Sequence, residues 1–182
     1  MSDYAVDAIQ RVLFDTKTLQ SKVAQLGAEL SRDFEGKEVV LLGVLKGSFC
    51  FLADLARAMT IPVGVDFIAV SSYGSSTESA GMISITKDLS FDVRGKDLII
   101  VEDIVDTGLT LHELVHFLQT KQPHSVSVVV LLDKPSRRKI QVGVDYTGFQ
   151  IPDEFVVGYG LDFDERFRNL PYIGVLDPKE YS

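Results

Sequence analysis

Cysteine is nearly missing from this sequence, where Cys50 stands alone. A disulfide within the chain is therefore excluded. The apolar setting FCFLADLARAM makes Cys50 a buried structural thiol, at home in a reducing cytoplasm. Long apolar runs are missing too: none approaches the roughly 20 residues that cross a bilayer, which excludes a helical membrane anchor. The opening MSDYAVDAIQ has neither the basic start nor the apolar core of a signal peptide, so neither export nor membrane attachment is expected. Basic residues are in deficit, 18 Lys and Arg against 26 Asp and Glu, for a formal net charge of -8. That balance excludes a broad cationic face for coating nucleic acid. Any anionic ligand must meet a local positive site. No internal repeat and no clear linker interrupts the chain.

What remains is an ordinary globular composition, 46% apolar and 24% charged over 182 residues, enough for one domain spanning 1–182. Leu19, Val23, Leu26 and Leu30 recur at helical spacing after Asp15 and Thr16, which can cap a helix start, and Gly36 marks a break. Val39 to Leu45, VVLLGVL, is continuously apolar, as a strand covered on both faces must be. Leu52, Leu55, Ala56 and Met59 form a second helical stripe, followed by a strand over Ile61 to Tyr73. The buried run Leu98 to Val101 leads to a third helix with Leu111, Leu114, Val115 and Leu118 on one face, then to a strand over Val126 to Leu132. This alternation predicts an α/β fold with a mostly parallel twisted sheet flanked by helices, binding its ligand at the carboxyl ends of the strands. GSSTESAG, Gly74 to Gly81, has the small polar residues of a mobile loop. Beyond residue 140, VGVDYTGF, FVVGYG and YIGVL read as short strands. They are expected, with the N-terminal segment, to build a small hood over the crevice from about 140 to 182.

The segment LIIVEDIVDTGLTL carries the chemistry. Glu102 and Asp103 fall just beyond a buried strand, and Asp106, Thr107, Gly108 and Thr110 at the mouth of the next helix. Free backbone N–H groups at a helix N-terminus bind phosphate, and Gly108 lets the backbone approach an oxyanion. Adjacent carboxylates beside such a site suit sugar hydroxyls and Mg²⁺, so a phosphorylated sugar would satisfy both halves. A plainer alternative makes Asp106 a helix cap and Glu102 and Asp103 solvated loop acids.

EDIVDTG after LIIV resembles the PRPP-binding signature of the phosphoribosyltransferases. GVLKGS at Gly43 to Ser48, SSYG at Ser71 to Gly74, and LLDKP followed by IPDEFVVGYGLD resemble the 6-oxopurine branch, the hypoxanthine-guanine phosphoribosyltransferases. The likeness covers Val39 to Arg168. It implies transfer of the 5-phosphoribosyl group of PRPP to N9 of hypoxanthine or guanine, giving the 5′-monophosphate and pyrophosphate in purine salvage. By the same resemblance Glu102 and Asp103 hold the ribose hydroxyls, directly or through Mg²⁺, and Asp106 is the general base at purine N7. Thr107, Gly108, Leu109 and Thr110 cradle the 5-phosphate, and Lys46, Gly47 and Arg168 meet pyrophosphate, with the Leu45–Lys46 peptide in the cis form. On the purine side, Lys134 donates to the 6-oxo group, Phe155 stacks on the ring, Val156 meets its edge, and Asp162 is a further Mg²⁺ ligand. Ser72 and Tyr73 lead a lid. A cytoplasmic homodimer or homotetramer without nucleic-acid or membrane partners is implied as well.

Two competing readings are weighed. His112-Glu113-Leu114-Val115-His116 matches the HExxH of zinc proteases, with Glu154 as a conceivable downstream ligand. At about 100° per residue, however, both histidines turn away from the apolar stripe centred near Leu111. The basic run Lys134, Arg137, Arg138 and Lys139 could serve an RNA-binding regulator, although a solvated turn accounts for it better.

Overall fold

A computed structural model describes residues 8–72 and 83–181. Its elements are β1 (Ile9–Phe14), α1 (Thr16–Asp33), β2 (Val39–Leu45), α2 (Phe49–Ala58), β3 (Val63–Ser72), β4 (Ile83–Lys87), β5 (Asp97–Val105), α3 (Leu109–Gln119), β6 (Ser125–Asp133), β7 (Tyr146–Gln150), β8 (Val156–Val157) and β9 (Ile173–Leu176), with short 3-10 turns at Pro135–Arg137 and Pro178–Glu180. Six strands form one sheet in the order β4-β3-β2-β5-β6-β7, and three form another in the order β1-β9-β8. In the larger sheet every pairing is parallel except that of the edge strand β4 with β3.

The continuous apolar runs follow from this layering. Leu41, Ile99, Val101, Val129 and Leu131 face α1 and α2, where they meet Leu26, Leu30, Leu52 and Leu55. Their alternating neighbours Val40, Leu42, Leu98, Ile100, Val128 and Val130 face Leu111, Leu114 and Leu118 of α3. With helices on both faces the central positions of these strands are apolar, and each buried Leu, Ile or Val contributes roughly 1.5–3 kcal/mol relative to exposure. Asp15 caps α1 by accepting from Thr18 N at 2.7 Å. Gly27 sets the spacing of α1 and α2: a Cβ there would lie 2.7 Å from that of Ala58.

Several expectations need correction. The strand over Ile61 to Tyr73 is shorter at its start, opening at Val63 after Pro62; Tyr73 and the loop 74–81 lie outside the described residues. β5 does not stop before the acids but carries Glu102 and Asp103 within it, because pairing with β6 continues to Val105↔Asp133. β4 was not expected. The segment VGVDYTGF does not join a hood: β7 extends the larger sheet parallel to β6. Asp145 brings it there, its carboxylate accepting from Val128 N at 2.7 Å while its own N–H donates to Val128 O at 3.0 Å. Gly148 permits the close approach, since a Cβ would meet Leu131 O at 2.5 Å. The small sheet is built from both ends of the described chain, β1 pairing antiparallel with β9.

Replacing Gly27 with valine forces α1 away from Ala58 and is expected to cost about 1–3 kcal/mol. A lowered thermal midpoint in a denaturation scan is the measurement; unchanged melting would show that the two helices separate freely.

Candidate active site

The carboxyl ends of β2 and β5 bring two distant motifs into contact. After β2 the Leu45–Lys46 peptide is cis, and Ser48, buried, donates to Val44 O at 2.7 Å to start the turn into α2. Gly47 then lies directly against β5: a Cβ there would fall 1.7 Å from Asp103 Oδ2. Only glycine fits. Beside it, Glu102 Oε2 is buried without a hydrogen-bond partner among the described residues. Burial, reinforced by the charge of Asp103, raises the Glu102 carboxyl well above the ordinary range. Burial likewise raises Asp103, to about 6, against the lowering effect of the Ile104 amide.

The phosphate-loop candidate follows at once. Gly108 adopts φ 82° as the residue before α3, a left-handed conformation that glycine tolerates at little cost. The first-turn amides of α3 have no acceptor within the helix. A small cavity of about 140 Å³ opens there, lined by Glu102, Asp106, Thr107, Gly108 and Thr110 among others, and Leu109 is the first helical residue. The loop is braced from behind: Lys139 N and Ile140 N donate to Thr107 O at 3.0 and 3.2 Å. Arg138 Nη1 donates to Asp106 O at 3.1 Å, and Arg137 Nε to Asp106 Oδ1 at 3.1 Å.

The segment after β8 closes the other side. Gly158, Tyr159 and Gly160 all have positive φ, and a Cβ on Gly160 would meet Gly47 O at 2.1 Å. Arg168 Nη1 donates to Gly160 O at 2.9 Å, while Nη2 reaches Asp162 Oδ1 at 2.9 Å and Glu165 Oε2 at 3.4 Å. Its Nε is buried without a hydrogen-bond partner among the described residues. Glu165 also binds Lys46 Nζ at 3.0 Å, and that ammonium holds the Glu165 carboxyl below its ordinary range. Lys46, Gly47, Asp103, Asp162 and Arg168 are thus gathered by contacts in a chain.

Lys134, buried at the end of β6, has its ammonium 3.8 Å from Asp153 Oδ1. Phe155 is exposed, with Phe163 edge-on at 5.6 Å and Tyr181 stacked at 5.1 Å. Val156 is buried in β8, paired with Val175. Ser72 ends β3 opposite Ile83; Tyr73, the other lid residue, lies outside the described residues. The rings of His112 and His116 lie 4.3 Å apart along α3 with planes tilted by 55°, His116 Nδ1 lying 2.9 Å from His112 O, and Glu154 is paired with Arg11. Cys50 is half-buried rather than fully buried, and it lines a larger, mainly apolar cavity of about 470 Å³ with Phe49, Ala53, Tyr159 and Leu170.

Sequence reasoning missed Arg137, Arg138, Asp153 and Glu165. The basic run reads as a solvated turn because its partners Asp106, Asp133 and Asp153 are remote or of the same unremarkable type. Glu165 lies 119 residues from Lys46, and no local pattern announces the pair.

Among the described residues no three His, Cys, Asp or Glu side chains gather closely enough to cage a metal ion. Asp162 is committed to Arg168 and to the Glu165 amide at 2.9 Å. Two adjacent carboxylates with an orphaned oxygen nevertheless fit a hard divalent cation that completes its shell with ligand oxygens and water, the habit of Mg²⁺.

A carboxyl raised in the folded state binds protons more tightly there than in the unfolded chain. Its contribution is therefore favourable at low pH and is lost as pH rises from 3.8 to about 6. Asp103→Asn is expected to stabilise the ligand-free protein by about 1–3 kcal/mol above that window and by little below it. Thermal midpoints of both proteins across the window test this; a gain largest in acid would contradict it.

Residues 11–164 match the phosphoribosyl transferase domain family. The chain is 49% identical over 174 residues to the hypoxanthine-guanine phosphoribosyltransferase of Bacillus subtilis, covering 96% of this chain and 97% of that one. With the enzyme of the same name from Mycobacterium avium it shares 49% identity over 180 residues, covering 96% and 89%. The fold superposes on a hypoxanthine phosphoribosyltransferase from Staphylococcus aureus with a TM-score of 0.96 at 45% identity, covering 100% of this chain and 99% of that one. Likeness of this degree, over nearly the whole length in both sequence and fold, settles descent: the chain belongs to the phosphoribosyltransferase family, in its hypoxanthine-guanine branch.

Proposed function

We propose that the chain joins hypoxanthine or guanine to the 5-phosphoribosyl group of PRPP, giving IMP or GMP and pyrophosphate. The observation that carries this reading is the contact of Gly47 with Asp103, beside the open mouth of α3. On this reading it would set a site for a sugar phosphate next to one for a leaving anion. Glu102 and Asp103 would hold the ribose hydroxyls, directly or with Mg²⁺, whose charge offsets that of the departing pyrophosphate. Thr107, Gly108, Leu109 and Thr110 would cradle the 5-phosphate with backbone and hydroxyl donors. Lys46, the Gly47 backbone and Arg168 would receive pyrophosphate, and Arg168 is suited by its fork of permanent donors.

In the reaction the N9 lone pair forms the bond to the anomeric carbon as the bond from that carbon to pyrophosphate breaks, and the N7 proton passes to Asp106. Arg137 engages Asp106 Oδ1, and we assign the proton to the second oxygen. Lys134, buried and therefore costly to leave unpaired, would donate to the 6-oxo oxygen. Phe155 supplies the stacking face, Val156 backbone contacts at the purine edge, and Asp162 an Mg²⁺ ligand once a substrate competes for Arg168. Ser72 and Tyr73 would lead the lid. Arg137 and Arg138 are turned onto Asp106, Asp133 and Asp153 rather than offered to a polyanion, which favours an enzyme over an RNA-binding regulator. No helix among the described residues is long and apolar enough to cross a membrane. We place the protein in the cytoplasm as a homodimer or homotetramer.

Pyrophosphate release from PRPP and Mg²⁺ is expected with hypoxanthine or guanine, and silence with hypoxanthine, guanine, xanthine, adenine and uracil alike would sink the reading. Asp106→Asn should lower kcat about 10²- to 10⁴-fold with PRPP binding retained; undiminished turnover would remove Asp106 from its role. Adenine should be a poor substrate, because its 6-amino group offers Lys134 no acceptor. Efficient adenine turnover by the wild type would overturn that assignment.

A further inference from the structure

The ring of Phe155 does not stand alone. Tyr181 stacks on it with centroids 5.1 Å apart and planes 29° apart, and Phe163 meets its edge at 5.6 Å and 88°. Phe163 and Tyr181 also touch, at 6.3 Å and 64°, closing a three-ring cluster. The tail that carries Tyr181 is tied down before it arrives. Leu176 N donates to Phe155 O, and Asp177 N to Ala8 O, both at 2.9 Å. Asp177 then caps the Pro178–Glu180 turn, its side chain accepting from Lys179 N at 2.9 Å. Tyr181 follows that turn directly, so its ring is delivered onto Phe155 by the fold.

An aromatic ring has two faces. Tyr181 stacks on one and Phe163 meets an edge, yet Phe155 remains 39% exposed. We infer that Tyr181 is a positioning residue of the purine site: it backs Phe155 from behind, fixes the plane of its ring, and confines a stacked base to the one open face. The inference rests on the proposed function, in which Phe155 stacks on the base. Free rotation of an unsupported phenyl ring at an exposed site would make it a poor platform, since the freedom lost on binding weakens the complex. A second ring beneath it removes that freedom in advance. Phe163 extends the same support toward Asp162, its neighbour in sequence, which is bonded to Arg168. The ring that supports the plate and the carboxylate that holds the arginine are thus adjacent residues.

Tyr181 is itself 43% exposed, so truncating it should leave the fold intact. The test uses the full chain, comparing wild type with Tyr181→Ala, Tyr181→Leu and Tyr181→Phe. KM for hypoxanthine and guanine should rise about 2- to 10-fold in the alanine and leucine variants, as the loss of one aromatic pair implies. KM for PRPP and the melting temperature should stay at the wild-type values, and Tyr181→Phe should restore the purine KM. Calorimetric titration with IMP should show the same pattern without turnover. Equal rises in both KM values would mean a general structural effect and overturn the inference. A purine KM that falls in Tyr181→Ala would mean that Tyr181 occupies the base's own face, and would overturn it too. A wild type that turns over normally beside variants with unchanged purine KM defeats this inference alone, whereas a wild type silent with every base defeats the proposed function and this inference together.

Discussion

The close packing of Gly47 between two partners is the constraint on which the site depends. On one side the Asp103 carboxylate sits where a side chain would be, 1.7 Å from an ideal Cβ; on the other, Gly160 approaches the Gly47 carbonyl so closely that its own Cβ would lie 2.1 Å away. These contacts bind three elements that are far apart in sequence: the end of β2, the end of β5 and the turn after β8. Everything functional hangs from those three. The acid pair belongs to β5, Lys46 precedes Gly47, and Arg168 is fastened to the Gly160 carbonyl. Two glycines are required because two backbones and a carboxylate share the space that side chains would fill, and closeness of that order is available only to residues without a Cβ.

That packing also sets the electrostatics. The chain carries a net charge of -8, yet the crevice needs cations to receive an anionic ligand. The fold resolves this by surrounding each cation with carboxylates: Glu165 holds Lys46, Asp153 holds Lys134, and Asp162 with Glu165 holds Arg168. Such pairs keep the cations oriented before a ligand arrives, and the exposed ones, worth about 0–1 kcal/mol each, can be exchanged for phosphate oxygens at little cost. The reverse holds for Glu102 and Asp103. Burial raises both carboxyls, so this pair would be stabilised by a bound cation or hydroxyl donors.

The sheet was legible in the sequence where its strands are covered on both faces. VVLLGVL and LIIV can be nothing but interior strands, and α1 and α3 announce themselves by their stripes. β4 was not legible, because ISITK is a short edge strand of mixed burial. β7 was misassigned because its place beside β6 is decided by Asp145 and Gly148, whose partners lie on another strand. The site divides in the same way. Asp106 to Thr110 form one contiguous string whose spacing carries a helix mouth, so physical reading reached them, while the roles of Lys134, Phe155 and Arg168 came only through family resemblance. Arg137, Glu165 and Tyr181 carry no local signal, since each gains its meaning from a partner 26 or more residues away: Tyr181 from Phe155, Arg137 from Asp106 at a separation of 31, and Glu165 from Lys46 at 119.

The small sheet has to hold its place for these remote pairings to persist. It contributes Phe155 and leads to Asp162 and Arg168, but its strands share no ladder with the larger sheet. What fixes it is side-chain contact near the chain's start: Phe14, at the end of β1, stacks on Phe149 of β7 at 4.0 Å and 19°. Thr16 Oγ1 donates to Pro171 O at 2.9 Å, and Arg11 pairs with Glu154. β1 therefore works as a strap, carrying the position of the main sheet to β9 and through it to β8 and Phe155. In the proposed function a base stacked on Phe155 also reaches Lys134 and Asp106, which directly follow β6 and β5 of the larger sheet, so the spacing between the two halves of that proposed site is set by aromatic packing at the opposite end of the strap. The alignment of that site is in this sense a property of the fold's first strand as much as of the residues that would touch the base.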